Sequence, residues 1–135
     1  YCWHKLAAEE MAKYGLKGPH AIYLLILRRS EQSLTAAQLC ELCGRDKADV
    51  SRAMALMEEK GLVKKEGGSA NQYRARLVLT EEGLLAAEHV CDRASVAVEH
   101  AGRGISDADR AVFYGALESI AAKLQTLCKE GLPQK

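Results

Sequence analysis

Residues 35–61, TAAQLCELCGRDKADVSRAMALMEEKG, contain the signals that decide the fold. Thr35 is followed three residues later by Gln38, which is the capping-box pattern of a helix start, and Asp46 offers a second helix N-cap. Gly44 and Gly61 follow the two helical segments, where a glycine in the left-handed conformation can end a helix. The stretch therefore predicts two helices joined by a turn of three or four residues, which is the helix-turn-helix arrangement.

The second of these helices has an apolar side and a polar side. Val50, Met54 and Met57 fall on one stripe, and Ala53 lies beside them, so we expect this stripe to face the core. The residues off the stripe are free to face outward, and they are Lys47, Ala48, Ser51, Arg52 and Ala55.

These outward residues suit contact with DNA in its major groove. Arg52 can donate to guanine O6 and N7, Ser51 can bond a base edge or a phosphate, and Lys47 can contact a phosphate. Asp49 could accept from a cytosine amine. Its spacing from Asp46 also suits the reciprocal half of a capping box, which we favour.

A hairpin is predicted directly behind the helix pair. The residue pattern indicates a strand at 62–66, a turn at 67–70 and a returning strand at 72–79. The candidates for contact with the DNA backbone or the minor groove are Asn71, Gln72, Arg74 and Arg76. In a strand, Arg74 and Arg76 share one face and Tyr73 takes the other; the alternative is that these arginines only keep an exposed hairpin soluble.

Helical segments flank this region on both sides. The chain before it predicts a helix at about residues 3–14 with Gly15 as terminator, then a helix that starts at Pro19 and ends near Arg29. The chain after it predicts two long helices with apolar residues at coiled-coil spacing, namely Leu84, Ala87, Cys91, Ala94 and Val98, then Phe113, Leu117, Ile120, Leu124 and Leu127. These two helices can pack on each other or on a second subunit, and the sequence leaves both arrangements open.

The charge of the chain is balanced overall but unevenly distributed. Nineteen Lys and Arg face eighteen Asp and Glu, a formal net charge of +1, which by itself argues against a nucleic-acid-binding protein. Residues 45–79, however, hold eight basic and five acidic side chains, a net charge of +3, whereas residues 80–135 have a net charge of −3. The positive excess falls on the second helix and the hairpin, where a DNA-reading surface would lie, although a solvated face of mixed charge is the alternative.

Composition also limits the class of protein. With 135 residues and 48% hydrophobic content, the chain suits one folded domain and not a disordered segment. Its longest uncharged apolar stretch, residues 18–27, is ten residues long, and a membrane span needs about 20. No basic and then apolar leader opens the sequence, so we expect no membrane association and a cytoplasmic location. No nucleophile–base pair, phosphate-binding loop or pair of carboxylates stands out, and we do not expect an enzyme.

The cysteines give no firm metal site. Cys40 and Cys43 form a Cys-x-x-Cys pair that can ligate zinc or cycle as a dithiol, but no second ligand pair occurs at metal spacing. We therefore expect both of them, with Cys91 and Cys128, to pack as small apolar residues, and we expect no metal and no cofactor. Cys2, near the start of the sequence, is the best candidate for a reactive thiol.

Four blocks of sequence together resemble the MarR (multiple-antibiotic-resistance regulator) family. They are LTAAQLCELCG at residues 34–44, DKADVSR at 46–52, EEKGLV at 58–63 and LVLTEEG at 77–83. The resemblance implies a mainly α fold with a small β-hairpin wing (α+β), that is, a winged helix-turn-helix with N- and C-terminal dimerisation helices. It implies that residues 19–80 form the DNA-binding region, and that residues 1–18 and 81–135 form the helical dimerisation region of a single chain-wide domain.

The resemblance also implies a function. Members of the family are homodimeric transcription regulators, usually repressors, whose recognition helices lie about one DNA turn, roughly 34 Å, apart on a pseudo-palindromic operator. Where the family wing usually carries an Asp and, two residues later, an Arg, this chain has Asn71 and Tyr73, so the adjacent Arg74 would take over the minor-groove contact. Two other interpretations of the same fold are a redox-sensing regulator and a winged-helix protein-interaction module that does not bind DNA.

A small aromatic effector is a further partner that the resemblance implies. Family members often bind such molecules between the dimerisation and DNA-binding regions, and Tyr14, His20 and Tyr23 flank that junction here. The alternative for these three residues is ordinary core packing. Some relatives sense oxidants through an N-terminal cysteine, which makes Cys2 the candidate residue in the redox-sensing interpretation.

Overall fold

The structure is a computed structural model that describes residues 2–67 and 74–133. Within that part of the chain, the α-helices are α1 (Cys2–Ala12), α2 (Ala21–Arg29), α3 (Ala36–Cys43), α4 (Lys47–Glu59), α5 (Glu81–Ala101) and α6 (Asp107–Glu130). The strands there are β1 (Leu34–Thr35), β2 (Val63–Glu66) and β3 (Arg76–Leu79), and a short 3-10 helix (Gly18–His20) leads into α2. The predicted fold class, mainly α with a small β element, is confirmed.

The helix ends of the helix-turn-helix lie where the sequence signals place them. Thr35 Oγ1 accepts from the Gln38 backbone N–H at 3.3 Å, and Gln38 Oε1 accepts from the Thr35 N–H at 2.9 Å, which completes the capping box of α3. Gly44 ends α3 with φ +62°, a left-handed conformation that favours glycine. Asp46 Oδ1 accepts from the Asp49 N–H at 2.8 Å and caps α4. The two helices and their turn are therefore built as predicted.

The strands form an antiparallel sheet in the order β1-β3-β2. The sequence predicts only the hairpin of β2 and β3, because β1 is two residues long and shows no alternation before α3 begins. The predicted returning strand at 72–79 is too long, since β3 begins at Arg76 and Arg74 lies outside it. Both ladders begin at Arg76, which lies opposite Thr35 of β1 and Glu66 of β2. The expectation that Arg74 and Arg76 share a strand face is therefore wrong.

One hydrophobic core joins α1 to α4, the sheet and the first half of α5. Its largest fully buried side chains are Met11, Leu24, Leu39, Met57, Leu62, Val50 and Val90. The apolar stripe of α4 is buried as expected, each member being at most 4% exposed: Val50, Ala53, Met54 and Met57. α1 buries Ala7 and Met11 in the same core, so the N-terminal helix is part of this packing.

Two glycines allow close backbone approaches that hold α1 and α5 onto the core. A Cβ on Gly18 would overlap the carbonyl oxygen of His4, and a Cβ on Gly83 would overlap that of Leu62. Thr80 strengthens the second approach, because its Oγ1 accepts from the Gly83 N–H at 3.0 Å. The start of α5 is thereby fixed against the chain that follows α4.

The chain divides into two compact units, Tyr1–Val98 and Glu99–Lys135. In the second unit, Ser106 Oγ accepts from the Asp109 N–H at 3.1 Å and caps α6, as its sequence position predicts. None of the described residues of α6 is buried, and its predicted apolar seam is between 48% and 61% exposed at Phe113, Leu117, Ile120 and Leu124. No helix in the described part of the chain is long and apolar enough to cross a membrane.

Candidate nucleic-acid interface

The exposed face of α4 carries the side chains that the sequence assigns to DNA reading. Because the apolar stripe of this helix faces the core, the opposite face is open to solvent, and it presents Lys47, Ala48, Ser51, Arg52 and Ala55. The first four are the predicted recognition-helix contacts, and they lie in the N-terminal half of α4. The positive end of the helix dipole lies at the same end, so the local field favours an anion. Their contact with DNA stays a prediction.

Arg52 is paired with a carboxylate of its own helix. Its Nη2 donates to Asp49 Oδ1 at 2.5 Å, while the two side chains remain 72% and 41% exposed. The expected second half of a capping box, in which the Asp49 carboxylate would accept from the Asp46 backbone N–H, is therefore replaced by an ion pair. The Asp49 carboxylate accepts from Arg52, and only the Asp49 backbone N–H bonds to Asp46. Asp46 and Arg52 both lie three positions from Asp49, so charge decides: the guanidinium carries a full positive charge, whereas the Asp46 backbone N–H is neutral. An exposed pair of this kind contributes about 0.3–0.5 kcal/mol, so the guanidinium can exchange to another acceptor.

Two of the predicted wing residues, Arg74 and Arg76, lie in the described part of the chain, and both are exposed. Arg76 Nη1 donates to the Ser33 carbonyl oxygen at 2.6 Å, which ties the sheet to the loop before β1. The sequence does not reveal this structural role, because Ser33 is 43 residues away along the chain. Asn71 and Gln72 lie outside the described residues.

A cavity of about 370 Å³ lies between the start of α2 and α4. Its lining includes two of the residues predicted for the effector, His20 and Tyr23, and one predicted for DNA, Arg52. The remaining lining residues are Lys17, Pro19, Arg45, Asp49, Ala53 and Leu56. His20 and Tyr23 meet at this cavity, whereas Tyr14 lies near Glu10 and Lys13. An occupant would touch the exposed face of α4 directly at Arg52.

The cavity combines neutral aromatic groups with an excess of positive charge. Tyr23 is 4% exposed, and burial raises the pKa of its phenol, which stays protonated at neutral pH. Burial and then the charge of Lys17 lower the pKa of His20, whose Nδ1 accepts from the Lys17 backbone N–H at 2.9 Å. Among the described lining residues, three are Lys or Arg and one, Asp49, is acidic. The lining of the cavity therefore combines apolar aromatic surface with a net positive charge.

Arg45 is a further candidate for the functional site. The sequence does not single it out, because there it is only one of the eight basic residues between positions 45 and 79. It lies in the turn between α3 and α4, is exposed, and lines the cavity together with Arg52. Its backbone N–H donates to Cys40 O at 3.3 Å, so the turn holds Arg45 at the entrance to α4. Arg45 immediately precedes the N-cap Asp46, and this position adjoins the positive end of the helix dipole. That position is the sequence signal that could have identified Arg45 as a site residue.

The cysteines are free thiols in different surroundings. Cys2, the predicted redox residue, is exposed. Cys128 is exposed as well, so its expected burial is wrong, because it lies near the end of a helix that buries none of its described residues. Cys40, Cys43 and Cys91 are half-buried, and Arg28 Nη1 donates to Cys91 Sγ at 3.3 Å. Among the described residues, no group of three or more His, Cys, Asp or Glu is placed to hold a metal ion.

A capped helix pair followed by a small antiparallel sheet, with an exposed basic face on the second helix, defines a winged helix-turn-helix protein. Residues 14–74 match the model of the MarR family. The resemblance to the MarR family found in the sequence is therefore confirmed over these residues.

Solved structures of similar regulators show the same fold over most of the chain. A SlyA-like transcription regulator from Listeria monocytogenes has a TM-score of 0.84 at 20% identity, covering 99% of this chain and 91% of that one. A MarR family transcriptional regulator from the same organism, complexed with a 26mer DNA, has a TM-score of 0.82 at 20% identity with the same coverage of 99% and 91%. A MarR family regulator from Silicibacter pomeroyi has a TM-score of 0.77 at 22% identity, covering 90% and 82%. Among curated proteins, no sequence match is found.

Proposed function

We propose that the chain is a sequence-specific, double-stranded-DNA-binding transcription regulator that acts as a homodimer and represses its targets. The observation that carries the proposal is the exposed N-terminal half of α4, with Lys47, Ser51 and Arg52 opposite a buried apolar stripe. A helix of about 10–12 Å diameter fits the major groove, which is about 12 Å wide. The Listeria monocytogenes relative complexed with DNA supports this use of the fold. Such a regulator would work in the cytoplasm, where its DNA lies.

Recognition would combine base reading with phosphate contacts. Arg52 would leave Asp49 and donate to O6 and N7 of a guanine, which releases one exposed ion pair and forms a bidentate contact. Ala48 and Ser51 would lie against base edges, and Lys47 would neutralise a phosphate. The wing residues would follow the neighbouring backbone or minor groove: Asn71, Gln72, Arg74 and Arg76.

The homodimer would be built on apolar surface that the single chain leaves exposed. Four members of the α6 seam, namely Phe113, Leu117, Ile120 and Leu124, keep coiled-coil spacing, yet each is about half exposed. Contiguous apolar surface on a helix of a water-soluble protein indicates an interface. A second copy would cover it and set two α4 helices roughly 34 Å apart, one DNA turn.

A small aromatic effector that carries an anionic group is the occupant that the cavity beside α4 suits best. Tyr23 and His20 supply neutral aromatic walls, and Lys17, Arg45 and Arg52 supply positive charge. An anion bound there would compete with DNA phosphate or a guanine for Arg52. Binding of the effector would therefore release DNA.

The test of DNA binding is a matched pair of arginine substitutions. Fragments that the protein retains from its source genome would supply the operator, and fluorescence anisotropy would give its affinity. Arg52→Ala is expected to weaken operator binding by about 1–3 kcal/mol and to relax base preference at one position. Arg103→Ala removes the same charge in the second unit and is expected to have little effect. Equal affinities for the two variants would exclude Arg52 from recognition.

Two rival functions give different results in the same assay. A winged-helix protein-interaction module would show no DNA binding even at low salt, whereas a DNA-binding dimer loses affinity linearly in log–log form as salt rises. A redox-sensing regulator would release DNA on treatment with peroxide, and Cys2→Ser would abolish that release. The proposed regulator keeps its operator under peroxide.

A further inference from the structure

Cys40 and Cys43 lie one helical turn apart at the C-terminal end of α3, where the core meets solvent. Both are free and half-buried, and both pack against the core while keeping part of their surface exposed. Cys43 Sγ lies 3.7 Å from the Cys40 carbonyl oxygen and donates to it, so its thiol is folded back along the helix toward Cys40. Packing in the core therefore does not explain why two adjacent thiols both remain partly exposed to solvent.

The helix geometry disfavours a direct disulfide between these thiols. Residues three apart on a helix have Cβ atoms about 5–6 Å apart, and a disulfide requires a Cβ separation of about 3.8 Å. A metal ion bound between the two sulfurs lengthens the link by two bonds of about 2.3 Å each. A bridging ion therefore requires less movement of α3 than an S–S bond, which would distort the helix.

The donor set selects the kind of ion. Among the described residues, no third His, Cys, Asp or Glu is placed to complete a group with these two thiols. Structural zinc and iron–sulfur clusters require four ligands, while soft thiolates alone also select Cu(I). We infer that Cys40 and Cys43 form a two-thiolate binding site for a soft monovalent metal ion of the Cu(I) kind. Binding exchanges two thiol protons for one Cu(I), and no electron is transferred.

The site lies at the turn of the helix-turn-helix. The Cys40 carbonyl oxygen accepts from the Gly44 N–H, from the Arg45 N–H at 3.3 Å and from the Cys43 thiol at 3.7 Å. These bonds fix the chain that leads from α3 into α4. When Cys43 binds a metal ion it loses its S–H donor, so metal binding removes one of the contacts that set this turn.

The experiment is a Cu(I) titration of the full chain under anaerobic conditions. Cu(I) is delivered from a chelator of known affinity, and binding is followed by thiolate-to-copper charge-transfer absorption. One equivalent of Cu(I) per chain is expected. Cys40→Ser and Cys43→Ser are each expected to lose that equivalent, while Cys91→Ser and Cys2→Ser, which remove a thiol elsewhere, keep it. Zn(II) in the same titration is expected to bind far more weakly, because the site lacks two of its four ligands.

A second measurement on the unchanged chain removes any dependence on how the variants fold. N-ethylmaleimide labelling followed by peptide mass spectrometry is expected to show Cu(I)-dependent protection of Cys40 and Cys43, with Cys2 labelled throughout. Protection of other cysteines, or none, would overturn the proposal. So would Cu(I) binding that survives in the Cys40→Ser, Cys43→Ser double variant, or Zn(II) binding as tight as Cu(I).

Discussion

Arg52 Nη2 lies 2.5 Å from Asp49 Oδ1 on the exposed face of α4. The residue proposed to read a guanine is thus held in the free protein by an acid of its own helix. The same Asp49 donates its backbone N–H to Asp46 and so takes part in the helix cap. Because the cap uses the backbone of Asp49 and the ion pair uses its carboxylate, the two contributions can be separated by substitution.

Asp49→Asn is expected to raise the affinity for duplex DNA. It removes the carboxylate that competes for Arg52 and that repels phosphate, while the backbone N–H still serves the N-cap. The gain should be roughly 0.5–1 kcal/mol, since exposed ion pairs are weak, and fluorescence anisotropy at fixed salt measures it. Asp92→Asn on α5 makes the same charge change away from α4, so an equal gain in both variants would mean that only net charge matters.

Local signals explain why so much of the helix-turn-helix could be predicted. The capping box at Thr35, the N-cap at Asp46 and the left-handed Gly44 are set by residues within four positions of one another. The burial of the α4 stripe follows from a period of 3.6 residues. Each of these properties is determined by a short segment of neighbouring residues, and the exposure of Lys47 and Arg52 follows from them.

Contacts between distant residues could not be predicted in the same way. The bond from Arg76 to Ser33 joins residues 43 positions apart, and it gives a predicted DNA contact a structural role. Strand β1 forms because Leu34 pairs with Leu77 of β3. A segment of two residues is too short for its sequence to predict this pairing. The cavity likewise brings His20 to Arg52, which only the packing of α2 near α4 decides.

Gly83→Ala is expected to destabilise the fold, whereas Gly115→Ala is expected to stabilise it. A Cβ at Gly83 would overlap the backbone oxygen of Leu62, whereas a Cβ at Gly115 meets nothing within 4 Å. Overpacking against a fixed backbone costs about 1–3 kcal/mol, and alanine in an open helical site gains about 0.5–1 kcal/mol over glycine. Urea unfolding of both variants measures the two signs, and a stable Gly83→Ala protein would contradict the close approach of α5.

Glu10 gives the fold a predictable dependence on pH. This carboxylate is 3% exposed, accepts from Lys13 Nζ at 2.7 Å and lies 3.3 Å from His89 Nδ1. The hydrogen bond from Lys13 is the main cause that lowers the pKa of Glu10 from its ordinary 4.5, against the opposing effect of burial. A lowered pKa means that Glu10 stabilises the folded state above pH 4.5, and that this contribution is lost as the pH falls below 4.5 through the folded pKa.

Glu10→Gln is therefore expected to lower the free energy of unfolding at neutral pH and to matter less in acid. The difference between wild type and variant, from urea unfolding, should be constant from neutral pH down to about pH 5 and should shrink as the pH falls below 4.5 toward about pH 3. Glu9→Gln is the control, because Glu9 is exposed and pairs with Arg93 at the surface, 2.7 Å away. A wild-type advantage that stays constant down to about pH 3 would show that the charge of Glu10 does not stabilise the fold.

Ile120→Glu is expected to dissociate the proposed homodimer, because it places a charge in the middle of the α6 seam, where Ile120 is 56% exposed in the single chain. Ala122→Glu adds the same charge two residues on, about 200° around the helix and away from the seam. Sedimentation velocity at micromolar concentration is expected to give a monomer for Ile120→Glu and a dimer for wild type and Ala122→Glu. The monomer should also bind the operator far more weakly, since one α4 helix replaces two. If Ile120→Glu sediments as a dimer, the seam is not the interface.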